Sequence, residues 1–363
     1  MTTEIQPRAR VRAMPEYHPP LGNRDRLRLD FNENTLACSP RVKSVLESIS
    51  ATELTRYPER ESVEAMVAGQ LGLLPEQAVL TNGVDEAIHV LCQAFLDTDD
   101  ELLLPVPTYS MYEIYGSATD ATLCRVQAAA DFSFPFAGLL AAITARTKLI
   151  AIANPNSPTG SVATREQIVT LAQAAPHAIV LVDEAYFHFY GETIIGLIGD
   201  LIGDIPNLVV ARTFSKAYGL AGLRVGLLAG SETILRWVRR VLSPYSVNSI
   251  ALACLTAALD DTRYLDWYVG EVKQARSEFL DGLYCLGLPY WPTEANFVLV
   301  NIGSTNKQFV SAMRDQGILV RDRSADPGCE GCVRITIGTP EQMRSALIAI
   351  ESFLKVEPAG ASR

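Results

Sequence analysis

Three short runs in this chain carry side chains suited to one kind of chemistry. The first is Thr213-Phe214-Ser215-Lys216, which follows the apolar run Leu208–Ala211 and leads through a glycine-broken turn to Arg224. A lone lysine is most often a solvated surface residue. One placed after a buried strand is desolvated, and desolvation lowers the pKa of an ammonium group and makes its amine a nucleophile toward an aldehyde. Thr213, Ser215 and Arg224 are the donors that a phosphate needs. The second run is Val180-Leu181-Val182-Asp183-Glu184-Ala185-Tyr186, which sets a carboxylate at the end of an apolar strand. A buried carboxylate needs a partner, and a cationic ring nitrogen is one. The third run, Asn154-Pro155-Asn156-Ser157-Pro158-Thr159-Gly160, is a turn rich in proline and asparagine. It offers the Asn156 amide as a donor to a ring hydroxyl, a role that Tyr186 would share.

Further residues fit the same ligand. Thr81-Asn82-Gly83-Val84-Asp85-Glu86 joins a strand to a helix expected to run to about Phe95. A helix start presents free N–H groups to an anion, so Gly83, Val84 and Asp85 would complete a phosphate cup. Tyr109, in Pro105-Val106-Pro107-Thr108-Tyr109, would stack on a flat ring. Arg334 lies inside the apolar strand Cys332–Ile337, and Arg321 ends the preceding strand. A guanidinium in an apolar strand calls for an anion, and two of them can grip a phosphate or carboxylate. An aldehyde that also carries a phosphate is pyridoxal phosphate. Neither G-x-x-x-x-G-K-S/T nor G-x-G-x-x-G occurs, which disfavours a nucleotide.

The elements that must hold these residues follow from the apolar rhythm. Runs at 78–81, 101–104, 122–127, 148–153, 179–182, 208–212 and 225–229 alternate with helical stretches. That alternation predicts an α/β fold: a three-layer α/β/α domain on a mostly parallel sheet. The candidate residues begin at the carboxyl ends of those strands, where such sheets bind ligands. Residues 231–286 read as helical, opening after Ser231, and strands at 296–300, 318–321 and 332–337 predict a smaller α+β domain. The expected division is residues 1–45 joining the small domain, 46–262 forming the large one and 263–363 the C-terminal small one. Ser39-Pro40 predicts a helix start running through Ser50. Leu-Ile-Gly-Asp occurs twice in tandem, at 197–200 and 201–204, and reads as a local duplication.

Bulk properties exclude several classes. The 363 residues are 48% hydrophobic and 20% charged, the make-up of an ordinary globular protein. A net charge of -10 disfavours nucleic acid as a partner. No apolar run reaches membrane-spanning length and Met1–Arg12 has no signal core, so a cytoplasmic enzyme is expected. Seven dispersed cysteines do not make a disulfide framework, and Cys329-x-x-Cys332 lacks the further ligands of a zinc site.

Together these motifs resemble those of the fold-type I pyridoxal-phosphate-dependent aminotransferases, the aspartate aminotransferase superfamily, from about Leu29 to Phe353. Within it they are most similar to the histidinol-phosphate aminotransferases, through Asn32-Glu33-Asn34, Arg56-Tyr57-Pro58, the turn at Gly83, Val320-Arg321-Asp322 and Gly331–Thr339. The resemblance implies that Lys216 holds the cofactor aldehyde and shuttles a proton. Asp183 would pair with the ring nitrogen, Asn156 and Tyr186 with the ring hydroxyl, and Tyr109 with the ring face. Gly83, Val84, Asp85, Thr213, Ser215 and Arg224 would surround the phosphate. Tyr57 would reach that phosphate from the other subunit of a homodimer. Tyr17, Asn156, Arg321 and Arg334 would bind substrate. The implied reaction is transamination of L-histidinol phosphate with 2-oxoglutarate. The same constellation would also serve an aromatic amino-acid aminotransferase or a threonine-phosphate-type decarboxylase. A regulator fused to a DNA-binding helix-turn-helix would need a basic segment before residue 40, and none is seen. Three positions depart from the family pattern: Thr35 and Pro20 stand where proline and glycine are usual, and Gly338–Met343 lacks the usual acidic pair.

Overall fold

The structure is a computed structural model that describes residues 5–22, 24–198 and 205–356. Two sheets carry the chain. The larger one contains Ala78–Thr81 (β2), Glu101–Val106 (β3), Thr122–Gln127 (β4), Thr147–Ala153 (β5), Ile179–Asp183 (β6), Leu208–Thr213 (β7) and Gly226–Gly230 (β8). Its strand order is β2-β8-β7-β6-β5-β3-β4. Strands β3 to β7 run parallel to one another, and β8 runs antiparallel to both of its neighbours, β7 and β2. Six of these runs are apolar because both sheet faces are covered. Alternate residues feed opposite cores: Ile150, Val180 and Val210 pack on one side, Leu149, Leu181 and Val209 on the other. The helix Gly83–Phe95 covers one face, and the helices Arg165–Ala174 and Ser249–Leu259 cover the opposite one.

The smaller sheet has the order β1-β10-β11-β9, built from Leu27–Leu29 (β1), Phe297–Asn301 (β9), Ile318–Asp322 (β10) and Cys332–Thr336 (β11). Strand β1 lies parallel to β10, which ties the N-terminal segment to this sheet. Helices Thr262–Cys285 and Pro340–Val356 back it with Phe279, Leu283, Met343 and Ile350. Ser39 caps the helix Pro40–Ser48 by accepting from the Arg41 amide. That helix places Val42 in the core of the larger sheet, so a division at residue 45 passes through it. Most of the Leu-Ile-Gly-Asp duplication lies outside the described residues. Among the described residues no helix is long and apolar enough to cross a membrane.

Between β3 and β5 the chain changes its direction of travel across the sheet, first outward to β4 and then back to β5. Ligands of such sheets sit beside the carboxyl ends of the strands flanking a switch of this kind.

Candidate active site

A cavity of about 550 Å³ opens at those strand ends. Val84, Asp85, Tyr109, Asp183, Tyr186, Thr213, Ser215, Lys216 and Arg224, all expected from sequence, line it. Each reaches it for a local reason. The buried run of β6 ends on Asp183, and β7 ends on Thr213. Arg224 sits just before β8 with a left-handed backbone, φ 53°. Gly83 opens its helix at φ 76°, a conformation that favours glycine, and a Cβ there would stand 2.7 Å from Arg224 Nη2.

One end of the cavity is built for an anion. The helix start at Gly83 and Val84 turns its amides outward. Arg224 Nη2 donates to Asp85 Oδ2 at 3.0 Å, and Asp85 Oδ1 accepts from the Tyr109 hydroxyl at 2.7 Å. Thr213 Oγ1 accepts from the Ser215 amide at 3.1 Å, and the buried Ser215 hydroxyl has no partner among the described residues. A buried hydroxyl left open beside an arginine and a helix start suits a phosphate.

The deeper end is built for a cation. Asp183 is buried, and burial pushes its carboxyl up to about 6. The Tyr112 hydroxyl donates to its Oδ2 at 2.8 Å and the Ala185 amide to its Oδ1 at 3.0 Å, and these bonds oppose that rise. No cationic side chain lies within ion-pair distance of it among the described residues. Lys216 Nζ donates to the Phe31 carbonyl at 3.0 Å and lies 6.0 Å from the centre of the Tyr186 ring. An open anion cup, an unpaired acid and an amine around one cavity fit pyridoxal phosphate, which carries a phosphate, a basic ring nitrogen and an aldehyde.

The structure departs from expectation at several residues. Asn156 does not line the cavity. Its amide donates to Pro107 O at 2.9 Å and Thr159 Oγ1 at 2.8 Å, and its Oδ1 accepts from Thr108 Oγ1. Both amide protons are therefore committed, one to its own turn and one to the loop after β3. Ser157, the next residue, lines the cavity instead. Tyr17 is half-exposed and outside the lining, where Pro19 and Leu21 take its place. Tyr57, expected to act in the other subunit's site, is 77% exposed in this chain and stacked on Tyr245, which does not conflict with that expectation.

Arg321 and Arg334 are direct partners across β10 and β11, so their side chains leave the same face of the sheet. Neither lines the cavity itself. Arg334 stands behind its wall, donating from Nη1 to Ser157 Oγ at 2.9 Å and from Nη2 to Asp30 O at 2.7 Å. It is buried, its Nε has no partner among the described residues, and burial brings its guanidinium down to about 10, still cationic at neutral pH. No carboxylate lies within 4.0 Å of either arginine among the described residues. Arg321 stands 5.3 Å from the centre of the Phe31 ring, and Phe31 lines the cavity.

Sequence reasoning missed Tyr112, Ser157, Asn32 and the Phe31 carbonyl. Tyr112 was within reach, because it lies one helical turn from Tyr109, and the two rings meet edge-on at 5.8 Å. No side-chain signal marks a backbone carbonyl such as that of Phe31.

The family described as aminotransferase class I and II matches residues 24–350 of this chain. A histidinol-phosphate aminotransferase of Thermoanaerobacter pseudethanolicus is 35% identical over 321 residues, covering 87% of this chain and 90% of that protein. Another from a Geobacillus species is 31% identical over 366 residues, covering 96% and 98%. A solved histidinol-phosphate aminotransferase of Sinorhizobium meliloti, in complex with pyridoxal phosphate, shares the fold at a TM-score of 0.87 and 24% identity, covering 98% of this chain and 99% of that one. The chain belongs to the class I and II aminotransferases, the pyridoxal-phosphate-dependent fold-type I family that its motifs resemble.

Proposed function

We propose that this enzyme transfers the amino group of L-histidinol phosphate to 2-oxoglutarate, giving imidazole-acetol phosphate and L-glutamate, as a cytoplasmic homodimer in histidine biosynthesis. The observation that carries the substrate class is the pair of cross-strand arginines without counter-anions. A buried guanidinium such as Arg334 is costly unless an anion joins it, and its Nε remains free to donate. Both substrates bring an anion, the phosphate of one and the carboxylates of the other. The names of the similar Thermoanaerobacter and Geobacillus proteins support histidinol phosphate as the donor. For the domains we propose a large unit over 46–262 and a small one from 1–45 with 263–363.

When bound, pyridoxal phosphate supplies an aldehyde and a ring that takes up the electron pair left as substrate Cα loses its proton. The protein's own groups do the rest. Lys216 Nζ would engage the aldehyde and would move the proton at Cα. The carboxylate of Asp183 would keep the ring nitrogen protonated, and a cation there would remove the penalty that burial imposes on it. The Tyr186 hydroxyl would serve the ring oxygen, and Tyr109 would pack on the ring. The amides of Gly83 and Val84, with Thr213, Ser215 and Arg224, would hold the phosphate, while Asp85 fixes Arg224 and Tyr109. Arg334 and Arg321 orient the substrate anion, with Ser157 between Arg334 and the cavity.

Steady-state kinetics with 2-oxoglutarate as acceptor test the substrate. The kcat/KM for L-histidinol phosphate is expected to exceed that for phenylalanine or tyrosine, because the arginines favour the phosphate, and Arg334→Ala should reduce that preference by about tenfold or more. A higher kcat/KM for an aromatic amino acid, or release of CO2 from phosphothreonine, overturns the assignment.

A further inference from the structure

The segment Asp30-Phe31-Asn32 leaves β1 and touches three candidate site residues in turn. The Asp30 carbonyl accepts from Arg334 and the Phe31 carbonyl accepts from Lys216. Asn32 differs, because it acts through its side chain: its Nδ2 lies 2.9 Å from the Tyr186 hydroxyl. Asn32 is 1% exposed and holds a left-handed backbone, φ 55°.

The direction of that hydrogen bond follows from the network around it. The Asn32 amide N–H donates to Thr336 Oγ1 at 3.0 Å, and the Thr336 hydroxyl donates to Asn32 Oδ1 at 3.1 Å. Thr336 is fully buried, and turning the Asn32 carboxamide over would leave its hydroxyl proton without an acceptor among the described residues. The carboxamide oxygen is therefore held toward Thr336 and its NH2 toward Tyr186. Asn296 Nδ2 fixes the Asn32 carbonyl from behind at 3.2 Å. An amide NH2 can only donate, so the Tyr186 oxygen must accept and keeps its own proton free. Among the described residues nothing accepts that proton, and Tyr186 lines the cavity.

We propose that Asn32 is a positioning residue that fixes the Tyr186 hydroxyl as a hydrogen-bond donor into the cavity, toward an anionic oxygen on the ring of the bound cofactor. This rests on the reading that the ring lies against Tyr186. Asparagine suits the position twice, tolerating the left-handed backbone and donating where aspartate of the same shape would accept. An aspartate would capture the Tyr186 proton and turn it away from the ring.

The test uses the holoenzyme with bound pyridoxal phosphate and reads the pH midpoint of its visible absorption band, with cofactor affinity alongside. Lys216, Asp183, Arg334, Tyr109 and Tyr112 are the titratable groups around Tyr186; no variant used replaces them, and Asn32→Asp adds one carboxylate beside them. An anionic oxygen that loses a donor holds a nearby proton more tightly, so Asn32→Asp should raise the midpoint by about one unit. Tyr186→Phe should raise it similarly, and in the Tyr186→Phe background Asn32→Asp should add only the smaller part of its shift that its new charge supplies. Equal shifts from Asn32→Asp in the Tyr and Phe backgrounds, or none in the Tyr background, overturn the proposal. Should Asn32→Asp fail to fold, Asn32→Gly keeps the backbone and decides: its shift must vanish in the Tyr186→Phe background, and a persisting shift refutes the assignment. A wild-type protein with no such band, or a Tyr186→Phe variant whose midpoint is unmoved, would instead refute the reading on which it rests.

Discussion

Asp183 spends part of its folding energy on a role that only a bound cation completes. In the cofactor-free protein burial holds its carboxyl up at about 6, against an ordinary value of 3.8. Below about 3.8 both folded and unfolded chains carry the proton, and no penalty arises. As pH rises toward 6 the unfolded chain ionises first, so this group's contribution to stability falls, by about 3 kcal/mol at most. Asp183→Asn removes that slope. The variant's stability relative to wild type, measured by denaturant unfolding without cofactor, should increase from pH 4 to pH 7, and parallel curves would contradict the burial penalty. The residues legible in sequence were of this kind: Asp183, Thr213 and Lys216 are polar groups at or just past the end of an apolar run. The turn at 154–160 shows the limit. It has several polar side chains close together, and sequence alone does not say which one a tight turn points inward; Asn156 serves the turn and Ser157 the cavity.

At the scale of elements, the phosphate end depends on how closely β8 meets the helix Gly83–Phe95. A Cβ at Gly226 would stand 2.7 Å from the Gly83 carbonyl carbon and 2.9 Å from the Val84 nitrogen, both backbone atoms that cannot swing aside. Gly226→Ala should therefore push the helix start from its seat, costing about 1–3 kcal/mol in stability and weakening cofactor binding together. Thermal unfolding and a cofactor titration check this, and a folded variant of unchanged cofactor affinity would contradict it. The strands themselves were legible because buried parallel strands read as continuous apolar runs. The reversed direction of β8 was not, because the run Val225–Ala229 packs equally well either way up.

At the scale of the whole molecule, one chain leaves Tyr57 77% exposed and stacked on Tyr245 at 55%, with Leu54 at 58%, apolar groups that do not line its own cavity. The proposed homodimer would cover these groups and deliver Tyr57 to the partner's phosphate cup. Lys216→Ala and Tyr57→Ala should then rescue each other. Subunits mixed in equal amounts and reassociated should regain about a quarter of the wild-type sites, since each hybrid dimer rebuilds one intact site. Borohydride trapping and turnover would both report the recovery, and activity no higher than the mean of the two parents would contradict a shared site. The two-sheet division was legible from the change of rhythm after residue 286. The partner's contribution came only through the family resemblance, because apolar exposure becomes visible only once the chain is folded.

The central claim, a lysine-held pyridoxal phosphate that accepts an amino group from histidinol phosphate, is tested most directly by the visible absorption spectrum. The purified protein is recorded before and after L-histidinol phosphate is added with no keto acid present. The expected result is a visible band, absent in Lys216→Ala, that disappears on addition and returns when 2-oxoglutarate follows. A visible band that does not respond to histidinol phosphate would contradict the proposed donor, and the absence of any band in protein supplied with cofactor would contradict the site itself.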